Sequence, residues 1–399
     1  MKKVVFRFLT LFFLLFSITI ITVEADTPAV SEEPSDLYGL SALLMDANTG
    51  EILFEKNGQD PVAIASTTKI LTCIVVLENG ILDDIVTFST NAAAQPDVQM
   101  NAAEGEQYQL SDLLKGMMLE SYNDVSVAIA EHIAGSVEAF AELMNEKAES
   151  LGCMNSYFIT PNGLDAEENG LTNHSTAEDL GLILSYAVKN EEFLEITQTQ
   201  QWNISECNGK RTVTASNKNR FLQEYDGLIS GKTGFTSKAG YCYAGAATRD
   251  GRTLVAVTLC AGWPPNKNYK WSDTKKLLDY GFENYEYRDI DYLGVEIPDS
   301  IQVEDGIDAD GNEVKEIQII LPETEDFLLR NDETYYGKVY LKTKIHAPIA
   351  KNDVVGRIEI YRNDELLAEE KIIVIDNVDE SSLWYKIWQK LCYFFDKII

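Results

Sequence analysis

Three short stretches of this 399-residue chain could together make an acylating serine: Ser66-Thr67-Thr68-Lys69, Ser121-Tyr122-Asn123 and Lys232-Thr233-Gly234, in that order. Ser66 and Lys69 lie one helical turn apart, so both side chains rise from one face and the amine can touch the hydroxyl. Lysine is a useful base only when unprotonated, which requires its pKa to fall by a few units from about 10.4. Burial and a second nearby cation lower it, and Lys232 is the natural second cation. A serine near a helix N-terminus also gains from the positive dipole end, which favours the oxyanion formed after attack. Ser121 offers a second hydroxyl to relay a proton to a leaving group, and Asn123 an amide to orient the amide of a substrate. Lys232 and Thr233 can hold a substrate carboxylate, while Gly234 lets substrate backbone lie flat against the strand edge. The backbone N–H of Phe235 is placed to meet the oxyanion together with that of Ser66.

Two of these motifs are weak singly, because Ser-x-x-Lys recurs at Ser272–Lys275 and Ser-x-Asn at Ser89–Asn91. Ser272 reads as the N-cap of a helix and Ser89 as a turn or cap, and no partner motifs follow Ser272. The ordered trio carries the serine-lysine assignment. His132, His174 and His346 lack triad or ligand spacing, so neither a metal nor another cofactor is expected.

The elements that must position these residues follow from periodicity. Leu40–Asp46 and Glu51–Lys56 flank a turn and predict a β-hairpin. Ser66 to Leu77 predicts a buried helix stopped at Asn79-Gly80. Helical spacing dominates from Leu110 to Leu151, and Thr176 caps a further helix reaching Val188. Strands follow at Gly227–Thr236, Tyr241–Thr248 and Arg252–Cys260, then a helix at Asp273–Tyr280. Strands first, helices between and strands again predict an α+β fold, an antiparallel sheet with an inserted helical cluster, over 37–285. Residues 286–376 show strands only and predict a small, acidic all-β domain. Within it, Asp308 to Glu313 fits a hairpin turn better than a calcium loop, because glycine and terminal acid miss the EF-hand positions.

The ends speak to location. Lys2, Lys3 and Arg7 precede an apolar run from Phe8 to Val23, a signal peptide over 1–25 followed by a linker over 26–36. Residues 377–399 form a tether and an amphipathic helix. Its apolar face is Trp384, Ile387, Trp388, Leu391, Phe394, Phe395 and Ile398, with Lys386, Lys390 and Lys397 beside it. Such a helix lies in a membrane interface rather than spanning it. The expected protein is therefore extracytoplasmic and peripherally attached to the outer face of the cytoplasmic membrane, with the β-domain as a stalk. A net charge of −31 makes nucleic acid an improbable partner. The six cysteines show no Cys-x-x-Cys pair. Strict alternation about an Asp250-Gly251 turn puts Cys242 and Cys260 on opposite sheet faces, so no bridge between them is expected.

The chain resembles the penicillin-binding D-alanyl-D-alanine carboxypeptidases, the low-molecular-mass penicillin-binding proteins. The resemblance rests on the trio and on Ala65 to Thr72, Phe158-Ile159-Thr160-Pro161-Asn162-Gly163-Leu164-Asp165, His174-Ser175-Thr176-Ala177, Gly231–Thr236 and Lys275 to Phe282. It implies a β-lactamase/transpeptidase-like fold with a C-terminal β-domain and an anchor helix. It implies Ser66 as nucleophile, Lys69 as proton acceptor, Ser121 as relay, and Asn123, Lys232 and Thr233 as substrate contacts. The implied substrate is the D-Ala-D-Ala end of a peptidoglycan stem peptide, with β-lactams as inhibitors. Tyr122 replaces a residue that is often small, Phe235 stands where some members carry histidine, and Lys270 where arginine is common. A serine β-lactamase would share fold and trio but not need the appended domain and helix. A non-catalytic scaffold would not need Ser66, Lys69 and Ser121 intact.

Overall fold

In a computed structural model that describes residues 18–20, 32–288, 293, 295–321, 327–382, 385 and 387–388, the first hairpin forms as expected. Strands β1 (Ser41–Asp46) and β2 (Ile52–Lys56) pair antiparallel. The turn between them closes on the Asp46 carboxylate, which accepts from the Asn48 N–H at 3.2 Å and the Thr49 hydroxyl at 2.9 Å. Strands β3 (Leu228–Thr236), β4 (Gly240–Arg249) and β5 (Arg252–Leu259) complete an antiparallel sheet in the order β3-β4-β5-β1-β2. Asp250 and Gly251 both take positive φ, 49° and 78°, so a two-residue turn pairs Arg249 with Arg252. Lys232-Thr233-Gly234 thus lies on an edge strand.

The helices arise between β2 and β3. They include α1 (Lys69–Asn79), α2 (Leu110–Glu120), α3 (Asn123–Ala134), α4 (Val137–Ser150) and α5 (Ala177–Ala187). Thr176 caps α5 as expected, its hydroxyl accepting from the Asp179 N–H at 3.0 Å. All of β1 is buried because helices cover both sheet faces. Gly181 of α5 packs against Leu43 and Met45, while Gly281 of α6 (Tyr269–Asn284) packs against Leu44 and Leu254. The α5 contacts and α1, buried from Lys69 through Val76, belong to one hydrophobic core beneath the site, while Leu44 and Leu254 pack with α6 on the opposite sheet face.

Helix α6 begins earlier than its sequence suggests. Tyr269 stacks on Tyr38 at 3.7 Å between ring centroids and Trp271 is buried, so packing draws the start upstream. Ser272 is consequently not an N-cap but lies inside the helix. Ser89 does cap a short helix, accepting from the Ala92 N–H at 2.9 Å.

The unit containing these elements is Ser31–Asn284; Met1–Val30 and Tyr285–Ile399 make up the other. In the latter, β-strands run from Tyr285–Arg288 to Asp379–Glu380. Strand alternation buries Ile301, Val303, Ile317, Ile319, Ile358, Ile360, Ile372 and Val374 in its core. Asp308 to Glu313 closes a turn in which the Asp308 carboxylate accepts from the N–H groups of Asp310 and Asn312, at 3.0 and 2.8 Å. Ile18–Ile20 pairs with Lys338 to Tyr340. The rest of the expected leader, and most of the expected helix over 383–399, lie outside the described residues.

Candidate active site

Ser66 stands on a tight turn rather than in the regular helix the periodicity suggested. Ala65–Thr68 form a 3₁₀ turn that runs into α1 at Lys69. In such a turn residues three apart eclipse, which brings Ser66 and Lys69 into register. Ala65 takes φ +48°, an unfavourable conformation for a side chain with a Cβ. Gly163 holds it there. At φ +78° and with no side chain, Gly163 packs directly under the Ala65 carbonyl, where a Cβ would come within 2.0 Å of the oxygen.

The Lys69 amine has no solvent exposure. It lies 3.0 Å from Ser66 Oγ, 2.9 Å from Asn123 Oδ1 and 2.7 Å from the Asn162 carbonyl oxygen. A neutral amine fits this set: two N–H groups donate to Asn123 and Asn162, and the lone pair accepts the Ser66 hydroxyl hydrogen. Burial holds its pKa well below the ordinary lysine value, the Lys232 charge lowers it further, and Asp124 opposes both. Asn123 is fixed in turn. Its Nδ2 donates to the carbonyls of Pro96 and Asp97 at 3.1 and 3.0 Å, which turns Oδ1 toward Lys69. Any substrate contact by this side chain falls to the second lone pair of that oxygen.

Ser121 occupies the break between α2 and α3 with φ +70°. Its Oγ accepts from Lys232 Nζ at 3.1 Å, and Lys232 also donates to the Thr233 carbonyl at 3.1 Å. Burial lowers the Lys232 pKa to about 7. The structure thus gathers Ser66, Lys69 and Asn123 in one hydrogen-bonded group and Ser121 and Lys232 in a second, with the two amines coupled by charge.

Strand β3 passes beside the Ser66 turn, and Gly234 is the reason it can. A Cβ there would stand 2.8 Å from the Ile64 carbonyl oxygen and 3.1 Å from the backbone nitrogens of Ser66 and Thr67. The missing side chain therefore makes room for the protein's own turn, whereas the sequence reading gave that room to substrate. Thr233 and Phe235 follow on the same strand, opposite Tyr243 and Tyr241. Phe235 is exposed and its ring lies 4.6 Å from that of Tyr241. Lys270 is buried, donates to the Lys267 carbonyl at 3.1 Å and sits over the rings of Tyr241 and Trp271.

The sequence reading did not single out Asn162 or Asp124 for a role. Asn162 acts on Lys69 through its backbone carbonyl, and its side chain accepts from the Leu164 N–H at 3.0 Å, which shapes the loop. Asp124 is buried behind Asn123 and accepts from the N–H groups of Met100 and Val125, both at 2.9 Å. The Pro161-Asn162-Gly163 stretch was the available signal for the first; nothing in the sequence marked the second.

A hydroxyl held against a buried amine whose pKa is depressed, with a second hydroxyl against a second buried lysine, is equipped for acyl transfer. Comparison with known proteins agrees with this chemistry. Residues 28–262 match the D-alanyl-D-alanine carboxypeptidase family, and residues 307–380 match the C-terminal domain of penicillin-binding protein 5. The chain is 30% identical over 349 residues to the D-alanyl-D-alanine carboxypeptidase DacF of Bacillus subtilis (strain 168), covering 86% of each chain. It is 30% identical to the carboxypeptidase DacD of Escherichia coli (strain K12), over 91% of this chain and 92% of that protein. The crystal structure of penicillin binding protein 5 from Haemophilus influenzae superposes with a TM-score of 0.70 at 26% identity, covering 88% of this chain and 100% of the other.

Proposed function

The chain belongs to the D-alanyl-D-alanine carboxypeptidase family of serine peptidases, and from that premise we propose that Ser66 removes the terminal D-Ala of peptidoglycan stem peptides through an acyl-enzyme. Ser66 Oγ attacks the penultimate D-Ala carbonyl while Lys69 takes the hydroxyl proton. The oxyanion is met by the N–H groups of Ser66 and Phe235. Ser121 relays a proton to the nitrogen of the terminal D-Ala, the C–N bond breaks, and D-Ala leaves. Water then cleaves the ester and frees Ser66. The Lys232 ammonium and Thr233 hold the terminal carboxylate. The observation that supports this reading most is the buried Lys69 amine, 3.0 Å from Ser66 Oγ.

A penicillin presents the same shape as D-Ala-D-Ala and acylates the same serine under this reading. Incubation with a fluorescent penicillin and with diacetyl-Lys-D-Ala-D-Ala tests it: Ser66 carries the label, D-Ala is released, and Ser66→Ala loses both. Label on Ser272, or penicillin turnover as fast as that of a dedicated lactamase, would overturn it.

We further infer an extracytoplasmic enzyme held at the membrane surface by its last helix. The apolar and basic pattern of 381–399 supports this, as does the exposure of Ile387 and Trp388. Among the described residues no helix is long and apolar enough to cross a membrane. Deleting 381–399 should release an active carboxypeptidase from membranes; a truncated form that still sediments with them puts the anchor elsewhere.

A further inference from the structure

Cys242 and Cys260 are both free thiols, and the alternation argument that set them on opposite sheet faces fails. Strands β4 and β5 keep one register from Arg249 opposite Arg252 to Tyr243 opposite Thr258. Past that point the Tyr241 N–H donates to the Gly262 carbonyl at 2.9 Å, and the Ala261 N–H to the Tyr241 carbonyl at 2.8 Å. The pairing has slipped, so that Leu259 and Cys260 together face Cys242. This is a β-bulge, and Cys260 takes the left-handed conformation at φ +53°. The bulge turns the Cys260 side chain toward Cys242, and both lie in one core, Cys242 fully buried and Cys260 5% exposed.

Interaction with the neighbouring Cys260 is the main reason the Cys242 thiol is raised well above its ordinary value, with burial adding to it. The same interaction holds Cys260 below its ordinary value. Cys73 and Cys153 are also buried, but burial raises both, and among the described residues both are free thiols. Cys242 also faces Gly234 across the sheet.

We propose that Cys242 and Cys260 are a disulfide-forming site that closes on reaction with a low-molecular-mass disulfide. The Cys260 thiolate attacks one sulfur of the reagent, whose S–S bond breaks to release one thiolate. Cys242 then gives up its proton to that thiolate and attacks the Cys260 sulfur of the mixed disulfide, releasing the second. Two protein thiols and one external disulfide become one internal disulfide and two external thiols. The product ties β4 to the end of β5, on the strand paired with the one that carries Lys-Thr-Gly.

The test is exposure of the folded full chain to oxidised glutathione, then denaturation, alkylation of remaining thiols, digestion and mass spectrometry. The expected product is a peptide pair joined between Cys242 and Cys260, two hydrogens lighter than the reduced pair and separated by reductant. Tm should rise by about 5 °C or more, since the bond closes a loop within one unit. Cys260→Ala should abolish both effects, and Cys242→Ala should leave a stable glutathione adduct on Cys260. The bond should form equally in Ser66→Ala, which separates this outcome from the fate of the catalytic assignment. Full alkylation of both thiols after oxidation overturns the proposal, as does a glutathione adduct on the unsubstituted chain that never resolves to the internal bond.

Discussion

Gly234 abuts the backbone of Ser66 so closely that a Cβ on the glycine would stand 3.1 Å from the Ser66 nitrogen. The strand offered to substrate and the turn offering the hydroxyl are therefore held at a separation that a single methyl group would change. Gly234→Ala should shift the Ser66 turn and lower the rate of penicillin acylation about 100-fold, the scale for sub-ångström to 1 Å misplacement of a reacting group. Overpacking should cost about 1–3 kcal/mol of stability. Stopped-flow labelling and thermal melts check both, and wild-type acylation would refute the assigned contact.

Lys69→Arg should abolish acylation, by at least about 100-fold, because a guanidinium keeps its proton near neutrality. The positive charge persists, so electrostatic support for Ser66 alone would preserve the rate. Labelling with fluorescent penicillin, alongside circular dichroism to verify folding, separates the two.

The pH profile of kcat/KM on diacetyl-Lys-D-Ala-D-Ala should be bell-shaped. Lys69 must be neutral, so activity rises as pH passes upward through its depressed pKa. Lys232 must be charged to hold the carboxylate, and with a pKa of about 7 it loses that charge as pH rises further. The two limbs belong to a coupled pair of amines. Lys232→Arg should push the alkaline limb to higher pH, and a profile flat from pH 5 to 10 would count against both roles.

Gly163→Ala should be among the most damaging single substitutions in this unit. Its φ is +78° and a Cβ would collide with the Ala65 carbonyl at 2.0 Å. A loss of about 3 kcal/mol or more is expected from strain and displacement together. Urea titration measures it, and Gly170→Ala, also at positive φ but with open space around it, serves as the uncrowded control.

What was legible in the sequence is what depends on neighbours along the chain. The hairpin turns, the Thr176 cap, the helix stop at Gly80 and the Ser66–Lys69 pairing each arise within a few residues. What was illegible arises where distant segments meet. The Asn162 carbonyl reaches Lys69 from 93 residues away and is a backbone atom, so no side-chain type announces it. Asp124 follows Asn123 in sequence, yet only the fold shows it buried behind the site. The bulge at Cys260 broke an alternation that had been extrapolated two residues too far. The start of α6 moved because Tyr38, from the far end of the unit's sequence, offers Tyr269 a stacking partner.

The three partners of the Lys69 amine have a consequence for the second half of the reaction. In the proposed mechanism the resting lone pair accepts the Ser66 hydroxyl hydrogen. Once Ser66 is an ester, that hydrogen is gone and the oxygen that carried it can no longer donate. After Lys69 has passed its proton onward, its lone pair faces a dry pocket with nothing to bind, while Asn123 and Asn162 still hold the nitrogen in place. The most economical remedy is a water molecule, whose O–H would point at the amine and whose own lone pairs would face the ester carbon. Under the proposed mechanism acylation thus creates the thirst that hydrolysis satisfies, and the lysine assigned to activate the serine becomes, without moving, the group that summons its replacement.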